Sequence, residues 1–471
     1  MQVLTPKVMQ AKNYKYYLLS VLLVILAFNY LERFALHLLL QDIKTDLELS
    51  DTQLGFLTGI AFALFYSVMG IPIARWADRG NRVAIISIAA GLQCAAVTLC
   101  GAAGSFLQLL LIRVGVAVGE AGCVPPAQSL IAGYFSRVER PRALAIYMLG
   151  SPLSAVVGYL LSGWLNELYG WRMTFVLLGL PGLALAALAW FTLREPRCAR
   201  TEERDAGSFG VTSCSEHEMT GRSTAHPSLK RVCATLWANA TFRHLLFGFS
   251  VMYFFSSGIG KWQPAFFIRS HGLETTELGM WFALIYGVGG LLGTYWGGAL
   301  ATRRAAGNER LQLRAMAVVM AGFGVISASV YLASNRYFAF ALLFCAVIGV
   351  STAIGPLFAT IQTLVPERMR AMSIAIIFLF ANLVGMGVGP LAAGALSDAL
   401  RPMFVEESLR YALLALCPGY CWAGWHLWRA SGTVTRDMAA GQAGRDACGV
   451  HQEDDVMSTT ISILEESPAK L

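Results

Sequence analysis

Apolar stretches of roughly 20 residues or more recur along the chain and alternate with short polar segments. About 20 apolar residues are needed for a helix to cross the roughly 30 Å hydrocarbon core of a bilayer. Runs such as "YYLLSVLLVILAF" do not alternate in polarity, so they predict helices rather than the strands of an outer-membrane barrel. The pattern predicts twelve membrane spans, at about 16–40, 52–75, 83–102, 105–133, 142–167, 171–193, 241–268, 276–301, 313–333, 337–364, 370–396 and 408–429.

The composition agrees with this pattern. The 471 residues are 56% hydrophobic and 14% charged, whereas soluble domains carry about 25% charged residues. The first apolar segment follows Lys7, Lys12 and Lys15 and has no small-residue cleavage site, so we expect it to remain as a membrane span. The chain is therefore predicted to be an all-α, polytopic membrane protein.

Arginines collect in alternate loops, around residues 75–82, 137–142 and 302–314. Because lysine and arginine are enriched in cytoplasmic loops, this bias predicts that both termini are cytoplasmic, with the chain in the inner or plasma membrane. The net charge of +7 then needs no nucleic-acid partner, since basic loops beside anionic lipid account for it.

A polar, proline-bounded stretch at residues 194–227 divides the spans into six and six. We expect four regions: a six-helix bundle at 1–193, a cytoplasmic linker with an interfacial helix at 194–240, a second bundle at 241–429, and a disordered cytoplasmic tail at 430–471. The loop sequence "VERPRALAI" in the first half matches "PERMRAMSI" in the second, which indicates a duplicated unit.

Two opposite charges, Arg113 and Glu120, lie in the fourth predicted span, "LIRVGVAVGEAG". Seven residues make nearly two helical turns, so both side chains point the same way, roughly 10 Å apart. An ion at mid-bilayer costs about 2.5–3.5 kcal/mol on insertion scales, so each needs a partner or a wet cavity. The first span supplies Glu32 and Arg33 in "NYLERFALH"; since they are adjacent, we expect one to meet the fourth span and the other to face the cavity.

Other polar residues in spans are weaker candidates for a substrate cavity. Asn29 and His37 share the first span with the charged pair, and Lys261 in "GIGKWQPAFF" could attract an anionic group beside an apolar wall of Trp262, Phe266 and Phe267. The alternative for Lys261 is that it snorkels to the outer interface.

The loop "GIPIARWADRGNR", residues 70–82, combines Gly70, Asp78, Arg79 and Arg82. Gly70 permits close helix approach, Asp78 can meet a helix N-terminus of the other half, and the arginines can pair across the cytoplasmic gap. We expect a cytoplasmic latch that holds an outward-open state. The alternative is that these charges only anchor the loop at the lipid headgroups.

This loop resembles the one between spans two and three of the major facilitator superfamily, and together with "NYLERF" and "RVGVAVGEAG" it is similar to the spinster branch. The resemblance implies the major facilitator fold, with two pseudo-symmetric six-helix bundles around a cavity lined by spans one and four. It also implies a monomer, a proton and substrate pathway through Glu32, Arg33, Arg113 and Glu120, and a cytoplasmic gate at Asp78, Arg79 and Arg82. Glu32 stands where the branch usually has aspartate, which alters its reach.

The function predicted from these features is proton-coupled secondary transport of an amphipathic or anionic small molecule, lysolipid-like by resemblance, through alternating access. A drug or antibiotic exporter and an organic-acid importer remain alternatives within transport, and a membrane sensor or scaffold outside it. The sequence has no H-E-x-x-H, G-x-S-x-G, P-loop or clustered metal ligands, so we expect neither an enzyme nor a metal or other cofactor.

Overall fold

The computed structural model describes residues 6–136, 138–195, 234, 236–296, 308–364 and 370–439. Over these residues the regular secondary structure is helical, with no strand. Most of the predicted linker, the arginines at 303 and 304, part of "PERMRAMSI" and the tail from residue 440 lie outside the described residues.

The first half follows the predicted spans closely. Its helices are Pro6–Asp46 (span 1), Asp51–Thr58 and Ile60–Arg79 (span 2), Arg82–Cys100 (span 3), Phe106–Ala121 and Val124–Tyr134 (span 4), and Arg140–Met148 and Gly150–Thr192 (spans 5 and 6). The last of these is divided at Gly170, where φ is 76° and the backbone leaves the helical region. Glycine adopts positive φ without steric cost, so the chain passes from span 5 to span 6 there.

Among its described residues, the second half contains two π-helical segments within its spans. Its elements are Ala240–Gly260 and Gln263–His271 (span 7), Thr275–Phe282 with π-helical Ala283–Gly289 (span 8), Glu309–Leu332 (span 9), Arg336–Leu364 (span 10), Arg370–Phe380, π-helical Ala381–Val388 and Gly389–Phe404 (span 11), and Ser408–Leu416 continuing as helix over 419–439 (span 12).

Eight helical stretches of the described chain are long and apolar enough to cross a membrane. Two of them, Arg140–Thr192 with 53 residues and Ile376–Ala439 with 64, exceed twice the length of about 20 residues that one crossing needs. Each therefore covers two predicted spans, and the predicted spans at 241–268 and 337–364 are helical as well. The all-α membrane architecture inferred from the sequence is thus the one observed.

The last helix extends further than predicted. Residues 430–439, which we expected to be disordered, are helical, and Ala430 and Val434 are buried. The Asp437 carboxylate accepts hydrogen bonds from the backbone N–H and the hydroxyl of Thr241, at 2.9 and 2.8 Å. Asp437 is one of the polar residues that suggested disorder. It instead binds the start of span 7 at Thr241, which lies 196 positions away along the chain.

The two halves meet through glycines near one end of the bundle. This end carries the loops at 47–50, 101–105 and 272–274. It is called the outer end because the sequence predicts that it faces away from the cytoplasm. Span 2 packs against span 11, and span 5 packs against span 8. A Cβ added to any of five glycines there would overlap a backbone oxygen of the other half; these are Gly55, Gly59, Gly163, Gly279 and Gly394. Their missing side chains let the backbones touch, and this contact is called the outer seal.

We expect Gly394→Ala to loosen the outer seal, because its Cβ would overlap the backbone oxygen of Asp51. Overpacking of this kind costs about 1–3 kcal/mol, enough for at least a roughly fivefold shift in a two-state equilibrium. Hydrogen exchange of the amides in 51–58 should accelerate accordingly. The matched control is Gly322→Ala, where nothing lies within 4 Å of the added Cβ. Equal exchange in both variants would contradict the role of Gly394.

Candidate functional site

A cavity of about 640 Å³ lies between the two halves. Spans 1, 2, 4 and 5 of the first half line it, and spans 7 and 11 of the second half complete it. Arg33, His37, Arg113 and Lys261 contribute its basic groups, and its aromatic wall consists of Tyr30, Phe34, Phe62, Tyr66, Tyr253 and Phe378. The cavity thus combines cationic and aromatic surfaces, contributed by both bundles.

Four charged side chains of spans 1 and 4 form two crossed ion pairs. Arg33 donates from Nε to Glu120 Oε2 at 3.1 Å and makes a second bond from Nη2 to Oε1. Arg113 donates from Nη1 to Glu32 Oε2. We expected one residue of the Glu32 and Arg33 pair to meet span 4, but both do. The long arginine side chains reach across the angle between neighbouring helix positions.

The pairs differ in their access to the cavity. The side chains of Glu32, Arg113 and Glu120 are 2%, 3% and 1% exposed, whereas that of Arg33 is 19% exposed. The ring of Phe62 lies close to both guanidinium groups, with its centroid 4.5 Å from Arg33 Cζ and 5.3 Å from Arg113 Cζ. Cation–π contacts of this kind stabilise desolvated arginine. Arg33 is therefore the member of the four that is both paired and open to the cavity.

The ion pair of Glu32 and Arg113 contains polar atoms that make no described hydrogen bond. Glu32 Oε1 and Arg113 Nε are buried and have no hydrogen-bond partner among the residues that the structure describes. Buried polar atoms are paired in the great majority of cases, so each exception calls for an explanation. The Glu32 carboxylate therefore has one oxygen without a hydrogen bond within the described part of the chain.

Lys261 faces the cavity rather than the outer interface. It is 9% exposed, and its amino group donates to the backbone oxygen of Thr58 at 2.6 Å and to that of Met386 at 3.3 Å. The snorkelling alternative is thus wrong for this structure. Its acceptors belong to different halves, since Thr58 is in span 2 and Met386 is in span 11.

Two of the other residues predicted for the cavity lie elsewhere. Trp262 is fully buried and donates from Nε1 to the backbone oxygen of Pro390 at 3.0 Å, so it packs in the protein interior. Asn29 is 2% exposed, and its backbone oxygen accepts from Gln93 Nε2 at 2.8 Å. Phe266 and Phe267 are also fully buried, so they form no wall beside Lys261. Successive helix residues point about 100° apart, so Trp262 turns away from the cavity.

The loop signature is built differently from the predicted latch. Arg82 pairs within its own half: the Glu195 carboxylate accepts from its backbone N–H at 2.8 Å and from Nε at 3.1 Å. Nη1 of Arg82 also donates to the backbone oxygen of Ser129 at 2.9 Å. Nothing lies within 4 Å of a Cβ added at Gly70, so this glycine permits no close approach here. The side chains of Asp78 and Arg79 lie outside the described set.

A charge network at the outer end, which the sequence analysis missed, joins the halves. The buried carboxylate of Asp51 in span 2 accepts from Lys44 Nζ at 2.6 Å and from both terminal nitrogens of Arg269 at 2.8 and 2.7 Å. Asp398 of span 11 accepts from the backbone N–H groups of Asp51 and Thr52, at 3.1 and 2.7 Å. A carboxylate at a helix N-terminus satisfies free N–H groups and the helix dipole.

The signal for this network in the sequence was only local. Ser50 and Gln53 form a capping box, a pattern that marks the start of a helix. The ion partners Asp51 and Arg269 are 218 positions apart, and no spacing rule connects them.

A helical membrane protein with two bundles, a charged cavity between them and a seal at one end has the architecture of a membrane transporter. The chain belongs to the Major Facilitator Superfamily, whose family model matches residues 22–401. It is a multi-pass transporter of the spinster type and not an enzyme.

Similar proteins support this assignment. The chain is 34% identical over 432 residues to an MFS-type efflux pump of Mycolicibacterium smegmatis, covering 89% of this chain and 93% of that one. It is 27% identical over 430 residues to protein spinster homolog 1 of Xenopus tropicalis, covering 84% and 77%. A crystal structure of a bacterial homologue of the human lysosomal transporter spinster, inward-facing and unoccupied, superposes with a TM-score of 0.78 at 28% identity, covering 90% and 98%.

We expect Glu195→Gln to destabilise the first half, because it leaves the Arg82 guanidinium buried without a carboxylate. Breaking a buried ion pair from one side costs about 3–5 kcal/mol. The measurement is thermal unfolding in detergent, where the variant should melt several degrees lower. The control is Glu139→Gln in the exposed loop before span 5. There, a hydrogen bond from Lys15 lowers the pKa of Glu139, but the pair is exposed and its loss should leave the melting temperature unchanged.

We expect Asp398→Asn to open the outer end, because it removes a negative charge from the N-terminus of the helix Asp51–Thr58. Asparagine keeps one acceptor oxygen but loses the charge and the second acceptor, which costs about 1 kcal/mol and shifts the population roughly fivefold. Spin labels at the exposed positions 48 and 274, one in each half, should report a longer distance in a larger fraction of molecules.

The matched control for Asp398→Asn is Asp46→Asn, which removes an exposed outer-end ion pair within the first half, that with Arg172. Its distance distribution should equal that of the unmodified protein. If both variants left the distribution unchanged, the Asp398 contact would not hold the outer end closed.

Proposed function

We propose that the protein is a proton-coupled secondary transporter that moves an amphipathic or anionic small organic molecule by alternating access. It works in the inner or plasma membrane with both termini cytoplasmic, as a monomer. The observation that carries the proposal is the crossed pairing of Glu120 with Arg33 and of Glu32 with Arg113 at the cavity wall.

Protonation of Glu120 removes the charge that holds Arg33. The freed guanidinium already borders the cavity, and its Nη1 lies 3.5 Å from Met386 Sδ in the second half. Arg33 can then bind an anionic group of the substrate or move with the second half. A pair that depends on protonation thereby links proton uptake to the equilibrium between conformations.

The Glu32 and Arg113 pair is the second proton site of the proposal. The unpartnered Oε1 of Glu32 is available to a proton without breaking the bond to Arg113, which uses Oε2. A neutral Glu32 would leave Arg113 with the Phe62 ring as its nearest described stabilising contact, 5.3 Å from Cζ. Both carboxylates thus regulate the positive charge on the cavity wall.

We propose further that the observed conformation is the inward-facing one. The Asp51 network and the glycine contacts close the outer end, and the spinster homologue of known structure is described as inward-facing. In the outward-facing state Asp78 and Arg79 form the cytoplasmic gate. Arg82 holds the loop through Glu195, and Gly70 belongs to the same signature.

Each half moves as a body in this mechanism because each is fastened internally. In the first half Arg82 ties the start of span 3 to Glu195, after span 6. In the second half Asp437, near the end of span 12, ties to Thr241 at the start of span 7. The contacts that change are therefore those between halves.

The substrate is proposed by resemblance and by cavity chemistry. The resemblance to the spinster branch implies a lysolipid-like molecule, and a cavity of about 640 Å³ with aromatic walls and basic side chains suits an anionic amphipath. A drug exporter remains the alternative because one relative is an efflux pump. An organic-acid importer is the other transport alternative. A sensor or scaffold is disfavoured because all four charges of the pairs are present and paired.

We expect Glu120→Gln to abolish transport driven by a pH gradient while leaving folding intact, because glutamine fills the same space and cannot exchange a proton. Uptake into proteoliposomes with an imposed pH step measures this, across lysophosphatidylcholine, hexuronates and ethidium. Gradient-driven uptake should fall at least about tenfold. This corresponds to a loss of about 1.4 kcal/mol in the free energy that couples the proton gradient to transport.

The control is Glu309→Gln, which changes a carboxylate at the start of span 9, outside the cavity lining. It should transport like the unmodified protein. A Glu120→Gln variant that concentrates substrate normally against its gradient would remove this residue from the coupling mechanism.

A further inference from the structure

Among the residues that the structure describes, the basic and acidic side chains around the cavity do not balance. Three cationic side chains, Arg33, Arg113 and Lys261, line it, and two carboxylates, Glu32 and Glu120, pair with the arginines. Within the described ranges no carboxylate pairs with Lys261, whose amino group has only backbone oxygens as acceptors. Lys261 is therefore the one of these three basic side chains that has no carboxylate partner among the described residues, in a region where an unpaired charge is costly.

The two acceptors of Lys261 lie at irregular points of their helices. Thr58 ends a helix at a break, since Gly59 has φ −103° and ψ −102°. Met386 lies in the π-helical segment Ala381–Val388. Such irregularities loosen the regular bonding of a helix and occur frequently at functional sites. Lys261 thus uses carbonyl groups at two such points to bridge the first half and the second.

The bridge lies directly beneath the outer seal. Gly59, next to Thr58, packs against the backbone oxygen of Gly387, next to Met386. One turn further out Gly55 packs on Pro390, and beyond it Asp51 packs on Gly394. Displacement of the Lys261 amino group from Thr58 would therefore remove the innermost polar contact of a continuous seam between spans 2 and 11.

We propose that Lys261 binds the anionic group of the substrate, a carboxylate or a phosphate monoester, and that this binding releases the outer seal. An ionised oxygen forms a stronger bond with an ammonium group than a neutral carbonyl does, so the anion replaces Thr58 as acceptor. The assignment rests on the proposed transport function, which it deepens by naming the substrate's charge and the contact through which occupancy is sensed.

The rest of the cavity fits an apolar remainder on such an anion. Phe34, Phe62, Tyr66, Tyr253 and Phe378 line it on several sides. Rings of this kind contribute large apolar contact areas. A cationic drug would place a second positive charge beside Lys261 and gain nothing from that contact. The site therefore selects anionic over cationic amphipaths.

Hydrogen exchange measured by mass spectrometry tests this on the full chain in nanodiscs of zwitterionic lipid. The probes are octanoate and octyl phosphate, with octyltrimethylammonium as the cationic comparison. We expect an anion to accelerate exchange at least about fivefold in peptides covering 51–58 and 275–282, on the two sides of the outer seal. The larger response of the two anions identifies the headgroup as carboxylate or phosphate, and the cation should have no effect.

Two substitutions distinguish the role of Lys261 in binding the anion from its role in joining Thr58 and Met386. Lys261→Met removes the donor at similar length, so its outer seal should exchange faster without any probe and should not respond to anions. Lys261→Arg keeps a cationic donor and should retain the anion response. Lys15→Met is the matched control, because Lys15 pairs with Glu139 on the opposite end of the first half; it should behave like the unmodified protein.

The result that overturns the proposal is a Lys261→Met variant with unchanged basal exchange and an unchanged response to both anions, or an unmodified protein with no response to either. These outcomes are independent of transport. Loss of uptake in Glu120→Gln without any anion response removes the role of Lys261 alone. An intact anion response with uptake that is insensitive to Glu120→Gln removes proton coupling through Glu120 and leaves the anion site.

Discussion

The structure depends on the free-energy cost of holding an ionised side chain inside a hydrocarbon layer. Spans 1 and 4 carry four such groups, and their only low-energy arrangement away from water is one in which opposite charges meet. Glu32 and Glu120 each take an arginine from the other helix, which fixes the two helices against each other. Lys261 adds a fifth ionisable side chain at the cavity, and its amino group donates hydrogen bonds to carbonyl groups of both halves. Polar pairing therefore determines both the register of the first bundle and its contact with the second.

A second constraint is steric and acts between the halves. Glycines bring the backbones of spans 2 and 11 into contact, and those of spans 5 and 8, near the outer end. Asp51 and Asp398 add ionic and helix-capping contacts to the same surface. Backbone contacts of this kind pack closely when the halves are together, but the rigid backbone cannot adjust to keep part of the contact when the halves separate. This property suits an interface with two discrete states. The cavity lies directly on the inner side of the outer seal. A change in the contacts of the cavity wall therefore occurs close to the seal.

Particular residues show where inference from sequence succeeded. The twelve apolar stretches predicted helices, since hydrocarbon leaves the backbone few alternatives to internal hydrogen bonding. The cost of buried charge also indicated that Arg113 and Glu120 needed partners, and span 1 was the source of those partners. Errors arose where a residue's environment depends on helix rotation or on distant contacts. Trp262 follows Lys261 by one position yet packs in the interior, and Arg82 found Glu195 inside its own half.

The sequence by itself determined the class of protein, the helices, the division into halves and the set of charges that had to be paired, because hydropathy and ion solvation act on each segment locally. Only the tertiary structure decided which charge met which. It also joined Asp51, Arg269 and Asp398, up to 347 positions apart, into the charge network of the outer end, and it folded residues 430–439 onto span 7. Those outcomes depend on which helices become neighbours and how each is rotated, and close packing sets both only when the whole chain is assembled.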